Sequence, residues 1–449
     1  MLDILNGLAG AGCTLFFVCL AVASFQEHEY RAVWISLVLA AISGIVLLLV
    51  IPASSPVLQA ASLLILLAFA ILSMLRFFPG QPEPRCPDTA TQYDERDTMF
   101  ARNTLKNHPE LKETYYRMRP ENEAIDRQIH NKPDFGDARQ TFHDEYTAPV
   151  YLSAFGYLEA TIPISDGAPA PDKKQIDPAR FVNAMTQMVR FYGGCDTGIL
   201  ATAPHHYYSH KGRHAKDWGT PPDQSYPTAI VIVVPMRPEM LKQGPTSSVI
   251  QESAQKYVEA AKISNILALY IRQFGYRARA HNDANYETLC VPMAVESGLG
   301  ELGRMGIFMH RIHGPCVRLA VVTTDLILPP TVPGPPLHME AFCRICKKCA
   351  DNCPSASITR GDEQQSRGFR HWSIDQARCF SYWKTIGSDC GMCIAVCPYT
   401  KPDTLIHRLV RFYISRNPVN QRIALIMDDL LYGRKKPLPK SNPATIFRS

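Results

Sequence analysis

The run CRICKKCADNCP, residues 343–354, is answered by CFSYWKTIGSDCGMCIAVCP, residues 379–398. An iron–sulfur cube needs four soft thiolates converging on one point. A short loop presents three of them, and a cysteine followed by proline supplies the fourth from a distance. In the two-cluster ferredoxin pattern the last cysteine of each run binds the other cluster. The spacing therefore assigns Cys343, Cys346, Cys349 and Cys397 to one [4Fe–4S] cluster, and Cys379, Cys390, Cys393 and Cys353 to a second. Paired CxxC motifs also bind zinc, but two runs that both end in CxxxCP single out iron–sulfur clusters. A disulfide framework does not fit this spacing. Of the 14 cysteines in the 449-residue chain, these eight are ligand candidates. Cys13 and Cys19 lie in an apolar stretch, and Cys86, Cys195, Cys290 and Cys316 read as small or buried residues.

Moving outward, the N-terminus is of another kind. Residues 1–75 carry one basic residue, Arg31, and three acidic ones, Asp3, Glu27 and Glu29, while the whole chain has a net charge of +6. No charge occurs from Ala32 to Leu75, a length sufficient for two spans of about 20 residues. Pro52, Ser54, Ser55 and Pro56 divide it, and Gly7–Phe25 offers a third segment. Three transmembrane helices are expected, near 6–25, 32–52 and 56–76. A cleaved signal peptide is the alternative for the first, with Ala21-Val22-Ala23 as the small-residue site. The lack of a basic residue ahead of it and the two following spans weigh against that. Arg31 in the first loop and Arg76 and Arg85 after the third span place the body on the cytoplasmic side of the inner membrane, a reducing compartment that suits the cysteines.

The body is mildly basic, without the concentrated patch that nucleic acid requires. Pro79, Pro82, Pro84 and Pro87 mark a linker. Arg180–Tyr192 and Ser253–Phe274 read as helices, Thr228–Val234 and Arg318–Thr323 as strands, which suggests a layered α/β core. His206, His210 and His214 would share one face of a helix, but Gly212 and nearby prolines favour a polar loop that could rim a pocket. The segment after residue 400 is a basic tail, either near anionic lipid or a solvated docking segment. Gly298-Leu299-Gly300-Glu301-Leu302-Gly303 spells a dinucleotide fingerprint, but it follows a helical stretch rather than a strand. Gly298, Gly300 and Gly303 are instead expected to let backbone approach a cofactor.

The ordered set YVEAAKISNILALYIRQFGY (257–276), His281-Asn282-Asp283, GLGELGRMG (298–306), GPCVR (314–318), Thr324-Asp325 and the cysteine pair resembles the corrinoid-dependent reductive dehalogenases over residues 178–435. The tail MDDLLYGRKK (427–436) is similar to that family's C-terminus. The resemblance implies an α/β, nitroreductase-like core holding a base-off cobalamin beside a ferredoxin-like domain with two [4Fe–4S] clusters. It also implies an organohalide substrate. Epoxyqueuosine reductase shares that layout, with an aspartate where the dehalogenases have tyrosine. By motif order Tyr257 matches the catalytic tyrosine, Asn282 its polar neighbour and Arg304 its cationic partner. Each also has a plainer reading: a helix tyrosine, a turn residue, a surface ion pair. The implied reaction consumes two electrons and a proton. A phenol, whose ordinary pKa is about 10, can deliver the proton when a guanidinium stands beside it.

The expected domains are then a membrane anchor (1–76), a linker and first part of the body (77–177), a corrinoid-binding catalytic domain (178–335), a two-cluster domain (336–400) and the tail (401–449). The twin-arginine signal of exported members is absent, and this chain carries its own spans instead. Electrons would come from reduced ferredoxin, flavodoxin or a membrane donor. Two other functions fit the same residues: a related corrinoid reductase of a non-halogenated substrate, and a membrane electron-transfer protein without a substrate site.

Overall fold

The computed structural model describes residues 2–50, 54–78, 90–223, 225–283 and 285–442. The proline-marked linker at 79–87, Cys86 and the end of the second expected span fall outside them. The chain forms two compact units. The first comprises residues 1–83, 336–346 and 401–436, and the second residues 84–335, 347–400 and 437–449.

The first unit opens with helices α1 (Leu2–Gln26), α2 (Tyr30–Gly44, continued as one π-helical stretch through Val50) and α3 (Pro56–Met74). All three are long and apolar enough to cross a membrane. Ser55 caps α3, and Pro56 supplies the preset φ of a first helical position. Interhelical polar contacts tie them: Asn6 Nδ2 donates to Gln59 O (3.3 Å), and Ser62 Oγ donates to Asn6 Oδ1 (2.9 Å). Gly10 permits close approach, since a Cβ there would meet Leu47 Cβ at 2.7 Å.

In the second unit, residues 95–164 form short helices and turns, the longest Ala148–Ala160, and the buried pair Arg102–Asp126 (2.6 Å) braces them. The core follows: α4 (Pro178–Phe191), β1 (Asp196–Ala201), β2 (Thr228–Pro235), α5 (Ser247–Arg272), β3 (Ala278–His281), α6 (Cys290–Glu296), β4 (Gly300–Leu302), β5 (Phe308–His310) and β6 (Val317–Thr324). The main sheet has the order β1-β2-β6-β3 with every pair antiparallel, and β4–β5 is a separate hairpin. Alternate residues of β2 explain its unbroken apolar run. Ile230, Ile232 and Val234 face α4 and α5, in a cluster with Met185, Ile263, Leu267 and Ile271. Ala229, Val231 and Val233 face the other way, against Met293 of α6, Leu299 and Phe308. A strand covered on both faces has no polar side to show.

The layered core thus matches expectation, with helices on one face and α6 and the hairpin on the other. Helix α5 starts six residues before the expected Ser253, because its first two turns hold only the adjacent apolar pair Val249 and Ile250 among buried polar residues and so carry no apolar period.

Four longer helices follow in the chain: α7 (Met339–Cys346) in the first unit, α8 (Gln376–Ile386) in the second, and then α9 (Leu405–Ile414) and α10 (Pro418–Tyr432) in the first. The basic tail is therefore largely helical and packed. Ile406 and Leu431 share a buried cluster with Leu20, Ala23 and Ala32 of the anchor helices.

Candidate active site and iron–sulfur centre

Cys343 and Cys346 are buried on α7 of the first unit. The other six candidate ligands belong to the second. Cys349 and Cys393 ride on two one-turn helices, Lys348–Asp351 and Met392–Ala395, that pack together. Burial pushes the thiols of Cys379 and Cys390 up to about 12 and that of Cys393 well above its ordinary range. The charge of Cys353 raises all three further. Ser357 N–H donates to Cys353 Sγ at 3.3 Å.

Two successive left-handed residues, Cys390 (φ 58°) and Gly391 (φ 66°), make the tight turn of the second run. The N-terminal end of α5 is built against it. A Cβ at Gly391 would lie 2.8 Å from Val249 Cγ1, and one at Gly244 2.5 Å from Cys390 O. Ser388 Oγ donates to Thr246 O (2.7 Å). The helix that carries Tyr257 is thus anchored on the cysteine loop.

Tyr257 is half-buried, and the Arg318 guanidinium lies over its ring, 4.6 Å from the centroid. Arg318 Nη2 also donates to Ser253 Oγ, one turn earlier on α5, and to Asp389 Oδ2 at 3.3 Å, beside Cys390. Burial raises the Tyr257 phenol to about 12, with Arg318 pulling against it. The phenol is protonated at neutral pH and so holds a proton to give. Burial likewise raises the Asp389 carboxyl, again opposed by Arg318. Neighbouring Tyr286 has its hydroxyl engaged with Leu319 O (3.2 Å).

Asn282 is 1% exposed, and its Nδ2 donates to Ser264 Oγ and Asn265 Oδ1, both at 3.2 Å. Ser264 follows Tyr257 by seven residues, so Asn282 meets the same face of α5 two turns along. Its Oδ1 is buried without a partner among the described residues, as is Arg318 Nε.

Two expectations need correction. Arg304 donates to Thr359 O (2.9 Å) and Gly361 O (2.8 Å) and lies 4.7 Å from the centroid of the Trp372 ring. The cation over Tyr257 is Arg318. Second, the room beside the glycines is filled by the protein itself: a Cβ would meet Pro333 Cα at 2.7 Å from Gly298, Met309 O at 2.0 Å from Gly300 and Met309 Sδ at 2.4 Å from Gly303. Their requirement for glycine arises from packing, not from an approaching cofactor. The histidines share no helix, in line with the polar-loop reading. His206 Nδ1 accepts the Ala203 N–H (2.9 Å), which leaves the proton on Nε2 to meet Glu296 Oε2 (2.9 Å). With both nitrogens so used, His206 is a structural residue, and His205 shares the same carboxylate at 3.2 Å. Sequence reasoning missed Arg318, Ser253 and Asp389. The available signal was a lone arginine inside the apolar strand VRLAVVTT.

Residues 342–401 match the family described as a 4Fe-4S dicluster domain, so this is an iron–sulfur protein. Part of the chain is also similar in sequence to reductive dehalogenases. It is 36% identical over 217 residues to the tetrachloroethene reductive dehalogenase of Sulfurospirillum multivorans, covering 46% of this chain and 42% of that one. It spans less than half the length of that curated relative. The fold is that of a catabolic reductive dehalogenase, NpRdhA, solved in complex with 3-bromo-4-hydroxybenzoic acid (TM-score 0.64, 22% identity, 81% of this chain and 49% of that one). A second structure, of a reductive dehalogenase described in terms of B12-dependent dehalogenation, aligns with a TM-score of 0.63 at 22% identity over 81% of this chain and 49% of that one.

Proposed function

We infer that the protein is a membrane-anchored reductive dehalogenase that replaces carbon–halogen by carbon–hydrogen on a small organohalide. The observation that carries this is the join between Tyr257, Arg318 and Asp389: a protonated phenol under a guanidinium that reaches the residue beside Cys390. An electron-delivering loop and a proton donor thereby meet at one place, on a chain related to reductive dehalogenases. The balance is R–X plus two electrons and one proton giving R–H and halide.

The proton leaves Tyr257 Oη, and Arg318 stabilises the phenolate that remains. Asn282 and Ser264 fix the far end of the same helix face. The cysteine sets given above would hold two [4Fe–4S] clusters, which would supply one-electron transfer there. A base-off corrinoid suits the site: Asn282 Oδ1 and Arg318 Nε are buried and have no partner among the described residues, and the amide-fringed edge of that cofactor offers both donors and acceptors. When bound, the corrinoid supplies a strongly reducing cobalt centre. The α1–α3 helices anchor the enzyme in the inner membrane with its body in the cytoplasm, where ferredoxin, flavodoxin or a membrane donor reduces it.

Anaerobic purification with cobalt and iron quantitation, followed by halide release from a haloaromatic panel, tests this. Both metals and free halide are expected, with Tyr257→Phe slowed by about 10²-fold or more while its iron is kept. Fully iron-loaded protein without cobalt would reject the corrinoid reading and leave electron transfer alone. A C-terminal reporter active in the periplasm would overturn the orientation.

A further inference from the structure

We propose that α9 is an interfacial helix lying along the bilayer surface, with its exposed apolar edge set in the boundary between headgroups and acyl chains. This rests on the reading of α1–α3 as a membrane anchor. Helix α9 joins two ends of the helical bundle. At its start, His407 Nε2 meets Glu27 Oε1 (2.6 Å) just after α1 ends, and both side chains are buried. Beyond its end, Arg416 Nη2 donates to Met74 O (2.9 Å), and Asn417 Nδ2 to Leu72 O (2.9 Å) and Leu75 O (3.0 Å), closing the carbonyls left free at the end of α3. The ends of α1 and α3 lie on one side of any bilayer crossed by three consecutive spans. A ten-residue helix is about 15 Å long, enough to reach from one to the other along the membrane plane.

The depth agrees. Ile406 and Leu431 pack on Leu20 and Ala32, and Leu20 lies six residues before Gln26, so about 9 Å below the end of α1. That is the depth at which interfacial helices sit. Leu405, Leu409 and Phe412 follow at i, i+4 and i+7 and are 75%, 50% and 49% exposed, continuing the apolar surface of the anchor. Helix α10 adds Val419, Ile426 and Leu430 on one side of its own. Arg408, whose side chain is 64% exposed, borders one side of the α9 edge, where it and Arg411 both pair with Asp403. The arrangement bears on electron entry: in the same unit, Gln421 Nε2 of α10 donates to His338 O (3.0 Å), and Arg434 Nη2 to Cys346 O (2.9 Å). The layer that lies on the lipid thereby also holds α7, with Cys343 and Cys346.

The test uses the full chain in lipid nanodiscs, with the photocrosslinker p-benzoylphenylalanine placed singly at Leu409, Phe412, Leu64 and Phe191. Leu64 is an exposed residue of α3 and Phe191 an exposed residue of the second unit. Lipid adducts found by mass spectrometry are expected at Leu409 and Phe412, with yields within roughly threefold of Leu64, and none at Phe191. No lipid adduct at Leu64 would reject the anchor itself. Lipid adducts at Leu64, with adducts to a second copy or none at both α9 positions, would overturn the proposal and leave the anchor intact.

Discussion

At the scale of single residues, two arginines separate order in the sequence from place in the structure. Arg304 follows the glycine run, where motif order put the cation, yet it serves the carbonyls of Thr359 and Gly361. Arg318 stands on a strand beside α5, and no local pattern announces which ring it covers. Arg318→Met is expected to lower the rate by about 10²-fold per iron-loaded molecule, with Arg318→Lys recovering part of it. Arg304→Met should cost about 2–3 kcal/mol of stability by removing charge-assisted hydrogen bonds, with the rate per folded molecule kept. Steady-state halide release normalised to iron, beside a denaturation midpoint, separates the two. Equal losses of rate would put both arginines at the site. The pH profile offers an independent check. A donor is active while protonated, and burial holds the Tyr257 phenol up to about 12. Activity should show no basic limb from this group below about pH 10, where an ordinary phenol begins to ionise. A limb near pH 8 that disappears in Tyr257→Phe would contradict the burial argument.

At the scale of elements, long periodic segments were legible and short ones were not. Thr228–Val234 reads as a buried strand because both of its faces are covered. Ile232→Ala, cutting into the cluster shared with α4 and α5, should cost about 2–5 kcal/mol, read from urea unfolding. The strands β3, β4 and β5 span three or four residues each, too few for a period to declare itself, and they exist through pairing with distant partners. The cysteine segment was legible for the opposite reason: its spacing is local, and the dicluster match falls on residues 342–401. What spacing cannot convey is the support beneath them. Gly391 is held in the left-handed region with Val249 of α5 packed against it. Gly391→Ala adds backbone strain of about 1–2 kcal/mol and a clash. It should therefore lower iron content and shift the electron paramagnetic resonance signal of one cluster, while the α1–α3 unit stays inserted in membrane. A full complement of iron with an unchanged spectrum would show the loop to be independent of α5.

At the scale of the whole chain, the sequence divides at the end of the apolar block, but the structure divides elsewhere. The charge pattern makes residues 1–76 look like a detachable anchor. The contacts assign to that anchor two later pieces as well, residues 336–346 and 401–436, which no composition shift marks. The reason is physical: Ile406 and Leu431 are as ordinary in sequence as any helix residues, and their burial depends on Leu20, Ala23 and Ala32 being there to cover them. Deletion of residues 1–76 should therefore not yield a well-behaved soluble enzyme. It would expose that cluster, leave His407 without Glu27 and leave Asn417 and Asn420 without the carbonyls of α3. Because α10 also holds the segment that carries Cys343 and Cys346, the iron of the first cluster should fall more than that of the second. Size-exclusion chromatography and iron quantitation of the truncated chain, against the full chain in detergent, check both statements. A monodisperse truncated protein with full iron would mean that the later segments fold without the helices they bury, and that the anchor is as separable as its composition suggests.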